Sequence, residues 1–471
     1  MNKKRKNIGV IGVAFLLLLG VTPWVWAATY YVAPNGKNTH IGSFTQPWAT
    51  PAYGVRRLRP GDTLVIRSGR YVLSDYETDI LRPPSGTPTQ RIVIRGEPGG
   101  HVILACRNNL MAAVDLSGAS HVTLENLEIT HDPTASGEAI RFRDGIAIVG
   151  APAGDIILSN LYIHHLDEFG IDAQDVEGLH VQGCRIEYCG FGAFGGPAGD
   201  QGGLRNITIQ GCSLSWSGHY YRGGDGTQRP YDRPDGFGIE PSEGPILIED
   251  TVVQHNYGDG LDSKASHTVI RRCLVANNSC DGVKLWGGGS RIENTLIYGR
   301  GDGNPQVTPW ASIVIDTTQA GADFGLYNVT VDDALGGNYL MYVQYDHDVP
   351  VALTIRNCIF SGRGPDCPIW LRHSVSLRMD HVLFWFPACP TILQWGEAVY
   401  GRETIGTIGQ EIRYGDPLFV SVGWGTEGDY HLSEASPAVD AGVPLTDCPP
   451  ISLDGRERPL GRGYDLGAYE E

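Results

Sequence analysis

The chain has 471 residues, of which 41% are hydrophobic and 19% charged, and its formal net charge at pH 7 is −17. A protein this acidic repels nucleic acid and anionic membrane surfaces, which excludes them as partners, whereas divalent cations and, through them, acidic polymers remain compatible. The length suits several ordinary domains or one long repeat array, and no low-complexity linker divides the chain. We therefore expect one elongated monomer.

The first 27 residues have the pattern of an export signal. Four basic residues at positions 3–6 precede an apolar run over 8–21, and Val25 and Ala27 stand at the −3 and −1 positions of a signal-peptidase site. The apolar run is shorter than the roughly 20 residues that span a membrane. We predict that residues 1–27 are a cleaved signal peptide and that the protein is secreted; the alternative is an uncleaved N-terminal anchor.

Residues 28–100 are predicted to form an N-terminal cap and the first coils of a repeat array. A helix is expected over Pro51–Leu58, because the exposed end of a solenoid needs a cap. Residues 101–410 would form the array itself, and residues 411–471 a closing segment.

A short signature, one polar or small residue followed by alternating apolar residues, recurs through the middle of the chain. Its shortest intervals are about 22 to 24 residues, a period typical of solenoids, and its alternation is that of β-strands. One coil per unit predicts an all-β, single-stranded, right-handed parallel β-helix. The copies begin at Asn126, Asn160, Gly183, Gly211, Asp250, Arg272, Asn294, Asn328, Asn357 and Asp380.

Cysteines recur one place after this anchor, so they are expected to stack in one column. We interpret the column as interior thiols, with disulfides as the alternative in an exported protein. The cysteines concerned are Cys184, Cys212, Cys273 and Cys358.

A second signature, built around glycine, lies between the anchors and begins at Asp144, Phe169, Asp235, Asp259 and Asp281. The residue after the glycine should point inward and the next one outward. This predicts two neighbouring outward columns. The first holds Asp172, Asp262 and Lys284, and the second holds Gln174, Glu240, Lys264 and Trp286.

Beyond residue 27 the chain has only three lysines, Lys37, Lys264 and Lys284, and arginine supplies all other basic side chains. Lysine can lose its proton when its pKa is lowered, whereas arginine effectively cannot. Two lysines on successive coils therefore suggest a nitrogen base, although simple salt bridges on an acidic face would also keep them.

Asp235, Asp259 and Asp281 should stack at the turn that opens the strand, with Asp262 beside them. Stacked carboxylates repel one another unless they are neutralised, and calcium takes six to eight oxygens in loose geometry. Asp-Gly is also a good turn, in which a stacked aspartate accepts backbone hydrogen bonds. Asp262 has no such turn role.

Two segments resemble family 9 polysaccharide lyases, which are calcium-dependent β-helix pectate lyases with a lysine base. Asp235-Gly-Phe followed by Gly258-Asp-Gly-Leu-Asp is similar to their calcium-binding pattern, and Cys273-Leu-Val-Ala-Asn-Asn-Ser-Cys-Asp-Gly is similar to their Asn-Asn-Ser-Asp-Asp-Gly coil. The two registers differ by one coil. In the first, Gly258 replaces a fourth aspartate, and in the second Cys280 and Lys284 occupy aspartate positions.

The resemblance implies a calcium ion held by the aspartates Asp235, Asp259, Asp262 and Asp281. It further implies a lysine base that removes the proton on carbon 5 of a uronate, followed by β-elimination. Lys284 is the first candidate, because it shares the outward column with Asp262, and Lys264 is the second.

Substrate-binding residues are expected around these coils. Trp286 and Trp310 are candidates for stacking on sugar rings, Glu240 shares an outward column with Lys264, and Arg233 in the 217–234 insertion, rich in Tyr, Gly and Arg, would pair with substrate carboxylates. Arg222 and Arg229 lie in the same insertion.

Three other functions stay open. A glycoside hydrolase would use paired carboxylates, Asp262 with Asp235 or Asp172 with Glu240. An epimerase would use His255 or Tyr257 beside the metal. A non-catalytic carbohydrate-binding or surface β-helix needs none of these roles.

Overall fold

The computed structural model describes residues 27–220, 234–299, 311–333, 339–366, 368–423, 428–446 and 448–471. In these ranges the chain winds through coil after coil of short parallel strands, numbered here in chain order. Strands of successive coils stack into three faces of one parallel β-helix. The alternation in the sequence predicted this architecture, and the prediction is confirmed.

Face 1 is made of strands that each pair in parallel with the next coil. These are β1 (Thr29–Val32), β2 (Thr63–Ile66), β4 (Ile92–Gly96), β7 (Ser120–Glu125), β10 (Ala153–Ser159), β13 (Val176–Gln182), β16 (Leu204–Gln210), β19 (Ile246–Glu249), β22 (Thr268–Arg271), β25 (Ser290–Glu293) and β28 (Asp323–Tyr327).

Face 2 is built in the same way. Its strands are β3 (Gly69–Leu73), β5 (Val102–Cys106), β8 (Glu128–His131), β11 (Tyr162–Leu166), β14 (Arg185–Cys189), β17 (Ser213–Ser215), β20 (Val252–Gln254), β23 (Leu274–Ala276), β26 (Leu296–Tyr298), β29 (Thr330–Asp333) and β36 (Gln410–Tyr414). Two long strands, β31 (Val351–Gly362) and β33 (Val375–Trp385), run across faces 1 and 2.

Face 3 carries the second sequence signature. Its strands are β6 (Leu110–Asp115), β9 (Phe142–Ile148), β12 (Phe169–Ala173), β15 (Gly192–Gly196), β18 (Asp235–Ser242), β21 (Leu261–Ala265), β24 (Val283–Leu285), β27 (Ala311–Ile315), β30 (Tyr339–Val343), β32 (Ile369–Leu371), β34 (Leu393–Trp395) and the antiparallel β35 (Ala398–Tyr400).

The anchor residues of the first signature form the corner between faces 1 and 2. Nine of them have positive φ, from 46° at Arg272 to 62° at Gly211, a conformation that asparagine and glycine adopt most readily. The predicted register is wrong at the tenth copy. Cys358 pairs with Val382, so His381 (φ 53°) and not Asp380 occupies the corner. The long β33 has no turn residue in its sequence that marks this position.

The interior is a continuous apolar column along the whole helix. The anchor cysteines Cys184, Cys212, Cys273 and Cys358 lie inside it, as predicted, each at most 4% exposed. All nine cysteines of the described ranges are buried and no disulfide joins any two of them, in agreement with the interior-thiol interpretation.

The ends are closed differently. The capping helix α1 spans Pro51–Val55, shorter than the predicted 51–58, because the backbone tightens after it: the N–H groups of Arg57 and Leu58 donate to residues three places earlier, Gly54 and Val55. At the other end, Tyr430 of β38 (Asp429–Leu432), which pairs with β37 (Phe419–Ser421), packs on Tyr298. Two short 3-10 helices lie at Gly137–Ile140 and Ile405–Thr407. Among the described residues, no helix has the length and apolarity to cross a membrane; the predicted signal peptide falls almost wholly outside them.

Candidate metal centre and cleft

The strand register of face 3 aligns the outward residues that the sequence put in one column. Asp262 lies beside Lys284 on the next coil, and Gly238 lies beside Asp262 on the coil before. Gly195 and then Asp172 continue the column. The inward neighbours Phe237, Leu261 and Val283 are fully buried, which fixes the outward direction of the residues that follow them.

Asp235, Asp259 and Asp281 form a ladder at the start of these strands. Each uses one carboxylate oxygen, Oδ1, to accept a backbone N–H from the next coil. Asp259 N–H donates to Asp235 at 2.7 Å, Asp281 N–H to Asp259 at 2.8 Å, and Ala311 N–H to Asp281 at 2.7 Å. The expected turn role, in which a stacked aspartate accepts a backbone hydrogen bond, therefore accounts for one oxygen of each aspartate. The second oxygen can contact other partners.

Three carboxylates converge above this ladder. Asp235, Asp259 and Asp262 each offer an oxygen, and these atoms all lie within 4.8 Å of one another. Asp281, the fourth predicted ligand, is not in this group; its second carboxylate oxygen contacts Lys284 instead. We call Asp235, Asp259 and Asp262 the carboxylate cluster.

Burial and mutual repulsion disfavour charge in the cluster. Burial, together with the charge of Asp259, raises the pKa of Asp262 to about 6, against the opposing effect of Lys284. The same two causes raise the pKa of Asp235 well above its usual range. Three carboxylate oxygens this close together are a suitable set for a hard divalent cation, which prefers carboxylate ligands.

Lys284 neutralises part of this charge. Its Nζ lies 2.9 Å from Asp259 Oδ2 and 3.1 Å from Asp281 Oδ2, and the residue is only 9% exposed. Burial lowers the pKa of the amine, but the charges of Asp259, Asp281 and Asp262 outweigh it, and the pKa is raised above its ordinary value. Without another cation, Lys284 is an ammonium group.

The neighbouring outward column supplies two further contacts. Lys264 Nζ donates to Glu240 Oε1 at 2.6 Å, in a partly exposed ion pair. Trp286 Nε1 donates to Asp262 Oδ1 at 2.7 Å, so the indole, expected to stack on sugars, orients a carboxylate of the cluster. The other two predicted substrate-binding residues, Arg233 and Trp310, lie outside the described residues, as do Arg222 and Arg229.

A cleft of about 380 Å³ opens on the N-terminal side of the cluster. Asp235, Asp262, Glu240 and Lys264 line it, and Asp172 lies at its far end. Burial, and secondarily the charge of Glu168, raises the pKa of Asp172 to about 6.

The aromatic wall of this cleft was not predicted. Phe169 and Phe191 meet edge to face, with ring centroids 5.8 Å apart, and Phe194 closes the base. One feature of the sequence could have indicated this wall. In the copy of the second signature that begins at Phe169, phenylalanine replaces the aspartate of the other copies. His255 and Tyr257, the expected epimerase residues, stack on Trp216 and His219, and neither lines the cleft.

A family model described as "Pel9A-like, right handed beta helix region" matches residues 30–303. Among solved structures, XylC in complex with xylose is similar with a TM-score of 0.62 at 10% identity, over 94% of this chain and 98% of that chain. A PL6 family polysaccharide lyase from Pseudopedobacter saltans has a TM-score of 0.51 at 11% identity, over 77% and 90%. Pectate lyase Pel9A has a TM-score of 0.48 at 15% identity, over 94% and 96%.

None of the curated proteins matches the chain significantly. At these identities, the likeness to XylC and to the PL6 lyase shows the fold, and the family model agrees with the predicted right-handed β-helix.

Proposed function

Because the chain belongs to the Pel9A-like right-handed β-helix family, we propose that it is a secreted polysaccharide lyase that cleaves a uronate-containing polymer by calcium-dependent β-elimination. One observation carries the proposal: three carboxylates within 4.8 Å of one another stand beside a buried lysine on the next coil. We also propose that residues 1–27 direct export.

Asp235, Asp259 and Asp262 would hold the calcium ion, the first two through the oxygens that the backbone ladder leaves available. The hydrogen bond from Trp286 would keep the Asp262 carboxylate oriented toward Asp235 and Asp259. When bound, the ion would add positive charge next to the substrate carboxylate and so make the proton on carbon 5 more acidic.

Lys284 is the proposed base. As a neutral amine, its Nζ takes the proton from carbon 5. The electron pair of that C–H bond becomes a double bond between carbons 4 and 5, and the bond from carbon 4 to the glycosidic oxygen breaks. The leaving oxygen departs with its electron pair and takes a proton from water.

The ion pairs of Lys284 explain why this reaction should require a cation. The amine is held protonated by Asp259 and Asp281. It can lose its proton near neutral pH only if another positive charge offsets these carboxylates. Lys264 is the second candidate base, and its pair with Glu240 is more exposed.

Mass analysis of the products tests the proposal. Elimination yields an unsaturated product one water lighter than the product of hydrolysis, and we expect this product from a uronate polymer only when calcium is present. Lys284→Ala should abolish it. Lys37→Ala, which removes the one lysine of the cap, should leave it unchanged.

A hydrolase is the second candidate, and the raised pKa values of Asp235 and Asp262 favour it. Retaining glycosidases place two carboxyl groups about 5 Å apart with one protonated, and oxygens of Asp235 and Asp262 lie within 4.8 Å. A saturated product that has gained one water, formed with no need for calcium, would replace the lyase proposal by this one.

A further inference from the structure

Two glycines separate two carboxylates along the cleft: Gly238 lines it, and Gly195 lies against the Phe169 ring. Asp172, Gly195, Gly238 and Asp262 occupy successive coils of one outward column. At about 4.8 Å per coil, the backbones of Asp172 and Asp262 lie about 14 Å apart. That distance leaves room for one ligand group beyond any group held at the carboxylate cluster.

The glycines are required by their surroundings. A Cβ on Gly195 would lie 2.6 Å from the Phe169 ring, and a Cβ on Gly238 would lie 2.6 Å from Asp235 Oδ2. Neither position accepts a side chain unless the wall or the cluster moves. The depression is therefore built into the packing of face 3.

The walls combine apolar surface with one unsatisfied acceptor. Phe169 and Phe191 present aromatic surface, which suits the apolar face of a sugar ring. Asp172 Oδ1 is buried and has no hydrogen-bond partner among the described residues. A buried carboxylate oxygen normally has a donor, and a sugar hydroxyl would supply one.

The charge of the cleft disfavours a second acidic sugar. Four carboxylates line it: Asp172, Asp235, Glu240 and Asp262. Lys264 is the one basic side chain in the described lining, and it is paired with Glu240. Arg143, whose charge acts on Asp172, is held by Glu168 through two hydrogen bonds of 2.6 Å. A uronate carboxylate placed here would meet like charge.

We propose that this cleft is a subsite for an uncharged sugar ring, so that the polymer carries a neutral sugar next to the uronate held at the carboxylate cluster. Asp172 accepts a hydroxyl hydrogen bond, and Phe169 with Phe191 covers the apolar face of the ring. The inference rests on the proposed function for the position of the uronate, but the subsite itself is measurable by binding alone.

The test is calorimetric binding in calcium-containing buffer with three tetrasaccharides: all galacturonate, alternating galacturonate and rhamnose, and neutral xylose only. Wild-type protein and Asp172→Ala are compared. Asp323→Ala, which truncates an exposed aspartate of face 1, is the matched control. We expect the alternating probe to bind about tenfold more tightly than the all-uronate probe, and Asp172→Ala to remove about tenfold of that affinity.

The subsite is refuted if the all-uronate probe binds as tightly as the alternating one, if Asp172→Ala behaves like Asp323→Ala, or if no probe binds. Preference for the alternating probe without any elimination product would instead keep the subsite and reject the lyase.

Discussion

The side chain of Lys284 connects two successive coils, with Nζ 2.9 Å from Asp259 and 3.1 Å from Asp281. Removing one partner of a buried pair leaves uncompensated charge, which typically costs about 3 to 5 kcal/mol. Lys284→Met should therefore lower the thermal midpoint in the absence of calcium, and added calcium should restore much of the loss by neutralising the same carboxylates.

Lys264→Met is the matched comparison, because that lysine forms an exposed pair, which contributes about 0 to 1 kcal/mol. Thermal denaturation with and without calcium measures both variants. An equal calcium effect on Lys284→Met and Lys264→Met would contradict a cation site next to Lys284.

Asp172 gives a pH-dependent stability of known sign. Burial raises the pKa of Asp172 in the folded state to about 6, above the unfolded value of about 4. The free energy of unfolding is therefore higher at low pH, where Asp172 is protonated, and it falls as the pH rises from about 4 to 6. Asp172→Asn removes this loss, so the variant should be more stable than wild type at pH 8, by about 2 kcal/mol, and not at pH 4. Urea denaturation at the two pH values measures it.

Asp155→Asn is the control of opposite sign. Hydrogen bonds from Arg91 and His121 lower the pKa of Asp155, so its carboxylate stabilises the fold above the unfolded pKa. This variant should lose stability at pH 8. The interpretation of Asp172 fails if both variants change stability in the same direction.

The aspartate ladder at the start of strands β18, β21 and β24 has two proposed roles. It accepts backbone hydrogen bonds between coils, and it supplies charge for a cation. Asp259→Asn keeps an oxygen for the Asp281 N–H but loses the charge, whereas Asp259→Ala loses both. We expect the asparagine variant to lose calcium binding and to lose the stability contributed by the ion pair with Lys284. The alanine variant should also lose about 1 to 3 kcal/mol for the unpaired N–H. Calorimetry of calcium binding and of unfolding distinguishes them, and calcium binding by either variant at wild-type affinity would contradict the assignment.

The strands could be predicted from the sequence because side chains alternate along a β-strand with a period of two, and because asparagine and glycine at the corners readily adopt positive φ. Asn126 and Asn294 could be recognised as corners for that reason, whereas Asp380 could not be distinguished from His381. The column of Asp262 and Lys284 was predictable from the same alternation. The cleft beside it was not, because it depends on the absence of side chains at Gly195 and Gly238 and on how Phe169 fills the space.

At the scale of the whole molecule, the continuous apolar interior should hold the helix together without covalent links. The nine described cysteines are buried, and no disulfide joins any two of them. Reductant should therefore leave the thermal midpoint unchanged, and thiol-reactive dye should label these cysteines only after denaturation. A drop of several degrees on reduction would show a disulfide that stabilises the fold.

The closing segment of the chain packs against one side of the helix. Tyr430 donates a hydrogen bond to the buried Asp332 at 2.9 Å, and Ala468 N–H donates to Thr330 Oγ1 at 2.9 Å, so the last residues of the chain cover face 2. This arrangement leaves face 3, with the cluster and the cleft, on a different side of the helix.

The most direct test of the lyase assignment is the ultraviolet absorbance of unsaturated product from polygalacturonate and alginate, recorded for the wild type and Asp262→Asn over a calcium titration. If the cluster holds the catalytic cation, wild-type absorbance grows only with calcium, and Asp262→Asn shows no growth, or requires far more calcium, while its unfolding stays cooperative. Growth of absorbance that ignores calcium, or that survives Asp262→Asn unchanged, would contradict a cation-dependent elimination at this cluster.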